Sequence, residues 1–206
     1  MIKTLTMKNL FFLLILISGK LSAQTVTARI IPVSQIETEK FIPLKIYTND
    51  SIVNGYGTLY SSNSGHIKFV KELPEDKNIV KKWQIFNCSE INKAEFELND
   101  RIITFTPVKV KPGGLFLLSK QYENESVILY HCYNGVFPMC IIKKKKEEHA
   151  VYFIINPNKP TDKLSKRYAK TFDECPQLSE KIKLGDYKHT YDDLIAILDF
   201  YNAECN

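Results

Sequence analysis

AEFELNDRIITF, residues 94–105, decides the fold. Ala94, Phe96 and Leu98 alternate with Glu95 and Glu97, the period-two pattern of a strand with one buried and one wet face. Asn99-Asp100 follows as a two-residue turn, because both residue types tolerate the left-handed backbone that a tight hairpin needs. Ile102 to Phe105 carries the chain back. Val108 and Val110 then alternate with Lys109 and Lys111 up to Pro112-Gly113-Gly114, a strong breaker.

The same grammar extends in both directions. Phe41 to Tyr47 is β-branched and aromatic and ends in Thr48-Asn49-Asp50. Gly55 to Tyr60 and His66 to Val70 flank a polar loop ending in Gly65, which reads as a hairpin with Ile67 and Phe69 inward. Lys82 to Phe86, Leu115 to Leu118, Val127 to Cys132, Val136 to Ile142 and Val151 to Ile155 continue the series. Short strands separated by turn signals predict an antiparallel β-sandwich or a partly open barrel over residues 24–155. Pattern alone leaves those two open.

Asn156-Pro157-Asn158-Lys159-Pro160 marks a boundary, and residues 156–206 read as helical. Leu164, Tyr168 and Phe172 fall at i, i+4 and i+8 behind Thr161 or Asp162 as cap. Pro176 suits the first turn of a second helix, with Leu178 and Ile182 on one face and Gly185 as its stop. Thr190 and Asp193 form a capping box for a third, whose stripe is Leu194, Ile197, Leu198 and Tyr201. Stripes this narrow do not make an independent core, so the helices are expected to pack on the β region as one domain. The predicted class is α+β.

Residues 1–23 read as a secretory signal peptide. Lys3 and Lys8 precede an apolar run from Leu10 to Ile17, and Leu21-Ser22-Ala23 is a small-x-small cleavage site. Met7 opens a complete signal by itself. Eight apolar residues span about 12 Å as a helix, short of the ~30 Å hydrocarbon core, so a transmembrane anchor is not expected. No Cys follows the cleavage site to accept a lipid. The expectation is an exported chain, periplasmic or extracellular after cleavage near Ala23.

Composition then narrows function. The 206 residues are 44% hydrophobic and 25% charged, a globular balance, with a formal charge of +5. Three of those charges, Lys3, Lys8 and Lys20, belong to the signal, so subtracting three leaves +2. Arg29, Arg101 and Arg167 are the only arginines. Such weak basicity with so little arginine argues against nucleic acid.

Cys88, Cys132, Cys140, Cys175 and Cys205 are an odd number for an oxidising compartment. Cys175 and Cys205 flank short helices that ought to pack together and are the favoured disulfide, stabilising by roughly 3–4 kcal/mol on chain-entropy grounds. Cys132 and Cys140 flank Asn134-Gly135 and are a second candidate pair, provided the loop is longer than two residues. Cys88 is left as a buried apolar thiol.

The signal ending Ser22-Ala23-Gln24 resembles those of exported Bacteroidota proteins. Phe172-Asp173-Glu174-Cys175-Pro176-Gln177-Leu178, continuing through Lys181-Ile182-Lys183 to Tyr201-Asn202 and Cys205, is similar to the C-terminal segment of uncharacterised secreted proteins in that group. Gly55-Tyr56-Gly57-Thr58-Leu59 with Gly65-His66-Ile67-Lys68-Phe69 resembles their N-terminal β-hairpin. The resemblance implies secretion and carries over no catalytic residue.

Candidate chemistry is sparse. His131-Cys132 are neighbours on a strand and point to opposite faces, so they do not chelate one ion, and no metal or other cofactor is expected. Lys143, Lys144, Lys145 and Lys146, followed by Glu147-Glu148, read as a solvated hairpin tip that guards a sheet edge. Their functional alternative is an electrostatic docking loop for anionic glycans or lipid headgroups. Tyr56, Thr58 and Tyr60 share a strand face and suit either cross-strand packing or an aromatic platform for sugar. The acidic pairs Glu147-Glu148, Asp173-Glu174 and Asp192-Asp193 sit at loops and helix starts, where the helix dipole favours acids. The expected protein is therefore non-enzymatic, binding a partner (an envelope component, a glycan or another protein) or associated with the cell envelope. The alternative is an exported hydrolase-like enzyme whose site is assembled from scattered residues.

Overall fold

The computed structural model describes residues 41–59, 65–75, 83–133, 138–154, 162–187 and 190–205. The signal segment, the 156–160 boundary, Tyr60, the Asn134-Gly135 turn and the side chains of His131 and Cys132 lie outside the described set.

Ten strands form one sheet: β1 (Ile42–Tyr47), β2 (Ile52–Leu59), β3 (His66–Val70), β4 (Gln84–Asn87), β5 (Lys93–Leu98), β6 (Arg101–Lys111), β7 (Gly114–Glu123), β8 (Val127–Tyr133), β9 (Pro138–Lys144) and β10 (Ala150–Ile154). Their order is β10-β9-β8-β7-β6-β5-β1-β2-β3-β4, and β10 also pairs with β6. That last pairing, parallel at Ala150↔Val110 and Val151↔Lys111, closes β6–β10 into a five-stranded barrel. The barrel is thus the realised alternative. Among the described residues three helices follow: α1 (Asp162–Thr171), α2 (Pro176–Leu184) and α3 (Tyr191–Glu204).

The hairpin that anchors the fold forms as its sequence implies. Leu98 pairs with Arg101, and Asn99 and Asp100 both take positive φ, 51° and 58°, between β5 and β6. The two apolar segments beyond the turn are one strand, however. β6 runs through Pro107, pairing with β5 as far as Phe105 and with β10 only from Val110. Pro107 therefore sits where one side of the strand has no ladder partner, so its missing N–H costs nothing there.

Across Pro107 the buried residues change phase, from Ile103 and Phe105 to Val108 and Val110. The sheet reverses its curl at this point. Ile103 and Phe105 face a first core with Ile46, Phe69, Phe96 and Leu117. Val108 and Val110 face the barrel interior with Phe116, Leu118, Tyr130 and Ile141. Phe116, Leu117, Leu118 and Ser119 on β7 are all buried because both faces of that strand are covered. Around the first core the sheet curls back until the 3-10 turn after β4, Cys88–Glu90, contacts β7.

A third core lies between the outer wall of the barrel and the helices. Leu129, Cys140, Ile142 and Phe153 meet Tyr168, Phe172, Leu178, Ile182, Leu194, Ile197, Leu198 and Tyr201. The expected stops and caps are in place: Pro176 opens α2, Gly185 ends it at φ 85°, and Asp193 N donates to Thr190 Oγ1 at 3.1 Å.

Two close approaches hold the β2–β3 hairpin. A Cβ on Gly57 would collide with the Lys68 carbonyl and the Leu44 side chain, and one on Gly55 with the Val70 carbonyl and the Phe69 ring. Gly57→Ala is accordingly expected to destabilise by about 1–3 kcal/mol. The check is the urea midpoint, and an unchanged midpoint would contradict this packing.

Candidate functional site

The face of the sheet opposite the first core is open on β2, β1, β5 and β6. Register aligns its residues into rows. Lys45 pairs with both Asn54 and Glu95, and Glu95 with Thr104. Beside them, Pro43 pairs with Tyr56, and Glu97 with Ile102. All of these but Thr104, with Lys71, line a groove of about 380 Å³. A second depression of about 400 Å³, lined by Ile102, Thr104, Thr106, Ser119, Lys120, Gln121, Ile128 and Tyr130, lies beside it over β6, β7 and β8. Ile102, 67% exposed, lines both, so the two depressions adjoin at its side chain. Each volume falls within the ~300–1,000 Å³ usual for small-ligand clefts.

The lining includes Gly55 and Leu44, a glycine and a residue whose side chain is buried in the first core, so backbone as well as side chains form the floor of the groove. β1 is paired on both sides, by β2 and β5, and β2 and β5 are themselves flanked by β3 and β6. The polar groups of the groove are organised by the next row of the same face, where Tyr47 pairs with Lys93. Tyr47 Oη donates to Glu95 Oε2 at 2.8 Å, and Lys93 Nζ to Glu95 Oε1 at 2.7 Å, with Lys93 4.0 Å above the Tyr47 ring. Lys93, then Tyr47, hold the Glu95 carboxyl below the usual carboxylate range. At the far end Gln121 Nε2 donates to Ser119 Oγ at 2.9 Å.

The residues singled out from sequence lie elsewhere and are mostly structural. Cys175 and Cys205 are joined, with Cα atoms 5.5 Å apart, and tie the start of α2 to the end of α3. The Cys132–Cys140 bridge is corrected: Cys140 is a buried thiol whose cross-strand partner is His131, while Cys132 pairs with Met139. The two cysteines are one residue out of register, and direct partners are what a cross-strand bridge requires. Cys88 is buried, and desolvation pushes its thiol up to about 11, which suits an inert core residue.

The four-lysine docking loop is corrected at its centre. Lys144 is 8% exposed, pairs with Glu174 and with Glu147 (3.4 Å), and lies 5.5 and 5.6 Å from the Phe172 and Tyr201 ring centres. Tyr201 Oη donates to the same Glu174 at 2.8 Å. Burial works against the Glu174 charge, yet Lys144 and Tyr201 outweigh it and its carboxyl is held low. Lys143 is half-buried on β9, and Lys145 pairs with Glu123 at 2.8 Å. Glu148 takes Lys109 at 2.5 Å. The adjacent acids thus serve the fold. Glu95 and Glu97, spaced by one residue, serve the groove, and their signal was the wet half of the alternation that defines β5.

Glu123 gives this region a pH dependence. Lys120 first, then Lys145, depress its carboxyl from 4.5 to about 2. The unfolded chain therefore binds more protons than the folded one between those values. Its contribution is complete above about pH 4.5 and disappears as pH falls towards 2. Wild type is expected to lose more of its thermal midpoint than Glu123→Gln across that window, and parallel melting curves would contradict the assignment.

Comparisons with protein-family models, curated protein sequences and solved structures give no match to this chain. What the fold and site define is an α+β protein in which a closed barrel continues into an open curled sheet bearing a lined groove.

Proposed function

We propose that this is an exported protein, periplasmic or extracellular, that binds an envelope partner through the groove on its open sheet face. The observation that carries the reading is the pair of ligand-sized depressions that adjoin at Ile102, a large apolar side chain left in solvent between polar walls. Export is supported by the basic–apolar–small pattern of residues 1–23 and by the resemblance to secreted Bacteroidota proteins. The Cys175–Cys205 disulfide is compatible with an oxidising compartment.

The test is co-sedimentation of the full-length chain, exported from a bacterial host, with the envelope fraction of the producing cell. Wild type should pellet and Ile102→Glu should stay in the supernatant. Ile102→Glu pelleting like wild type would overturn the reading. N-terminal sequencing of the same material should find Gln24 first.

One observation favours the hydrolase alternative. Glu95 and Glu97 lie on one face of β5, two residues or about 6.7 Å apart along the strand, near the lower limit of ~6.5 Å for paired carboxyls in inverting glycosidases. Binding is the better reading because Glu95 is occupied by Lys93 and Tyr47 and held ionised, and Glu97 is exposed. A general acid needs a carboxyl that keeps its proton.

A further inference from the structure

We propose that the groove takes a neutral oligosaccharide, an assignment that rests on the groove being the binding surface. The side-chain inventory of the lining suits hydroxyl groups, each of which both donates and accepts. Asn54 supplies donor and acceptor on one amide, Lys45 a donor and Glu97 an acceptor.

The apolar elements fit the same ligand. Tyr56 is half-buried at the β2 side of the lining and Ile102 stands exposed at the β6 side, three strands or about 14 Å away, so the two offer an aromatic and an aliphatic surface to different rings of one oligosaccharide. Charge disfavours a polyanion: Glu97 stands exposed in the lining and Glu95 lies opposite Lys45, so both signs are interspersed along the groove. Among the described residues no arginine lines either depression to fork a carboxylate, sulfate or phosphate.

Affinity electrophoresis of the exported full-length chain tests this, in native gels containing dextran, xylan, mannan or laminarin, with alginate and heparin as acidic comparators. At least one neutral polysaccharide should retard the protein, and Tyr56→Ala and Glu97→Gln should each weaken that binding about tenfold or more. Circular dichroism shows whether each variant is folded, and Asn54→Ala replaces Tyr56→Ala if that one is not. Lys145→Ser/Lys146→Ser, outside the groove, should bind as wild type does. Retardation by the acidic gels alone, by none of the neutral gels, or undiminished in the folded groove variants would overturn the sugar assignment. If Ile102→Glu still abolishes co-sedimentation with envelopes in that event, the groove stands and its ligand is another class. If Ile102→Glu pellets normally, the groove reading itself fails.

Discussion

Replacing Phe172 with alanine is expected to cost about 3–5 kcal/mol, among the largest effects of any single substitution in this protein. Phe172 has no exposed surface and sits just past the end of α1, where strand, helices and loop converge. Its ring centre lies 6.2 Å from that of Phe153 on β10 and 5.2 Å from that of Tyr201 on α3, with Lys144 5.5 Å away. Truncation removes the transfer free energy of the ring and opens a cavity whose walls belong to separate elements. Those walls have little freedom to collapse, because the disulfide fixes α2 to α3 nearby. The substitution also uncovers one side of a buried lysine whose carboxylate partner Glu174 precedes Cys175. Urea unfolding gives the magnitude, and a loss below about 1 kcal/mol would mean that the helices do not pack on the barrel as described.

The second large effect is expected from Cys175→Ser/Cys205→Ser. A bridge between residues separated by 30 positions restricts the unfolded chain, and its removal costs roughly 3–4 kcal/mol on that basis. For a chain of this size that corresponds to a fall in Tm of roughly 6–16 °C. Reduction of the wild type should reproduce the shift, whereas the double variant should not respond to reductant at all. Thiol counting separates this from a general oxidation effect. Unfolded wild type should react at Cys88, Cys132 and Cys140 but not at Cys175 or Cys205, and a Tm unmoved by reductant would contradict the bridge.

Local rules were legible from residues alone wherever one short segment holds the whole signal. Asn99-Asp100 announces its turn because the left-handed backbone is a property of those two positions. Thr190 and Asp193 announce their cap because both hydrogen bonds span three residues. The stripe of α3 needs only its own period to show which side is buried.

The reversal of curl in β6 was not legible in that way. A run in which buried residues shift from odd to even positions reads as two strands, and only the pairing of Val110 with Ala150, forty residues on, shows that the strand continues into a barrel. Closure depends on the same long-range contact, which is why sandwich and barrel were indistinguishable beforehand. Lys144 was misplaced for a related reason. Four consecutive lysines look uniformly wet, but β9 extends through the second of them and carries it to Glu174 and the Phe172 ring.

The groove fell between these cases. Glu95 and Glu97 were visible as the outward half of an alternation, and Tyr56 as an outward aromatic. Their neighbours were not, since Lys45 reaches Glu95 and Asn54 only through the order β2-β1-β5, in which the chain's first and fifth strands lie side by side.

Isoleucine-methyl NMR of the exported chain, titrated with a soluble extract of the producing cell's envelope, tests the groove most directly. Ile52, Ile85 and Ile102 are all well exposed, but only Ile102 lines the groove, and Ile128 lines the adjoining depression. The expected result is a saturable shift of the Ile102 and Ile128 methyls while Ile52 and Ile85 stay in place. Shifts at Ile52 or Ile85 with Ile102 unmoved, or no shift at any of the four, would contradict the groove as the surface through which this protein acts.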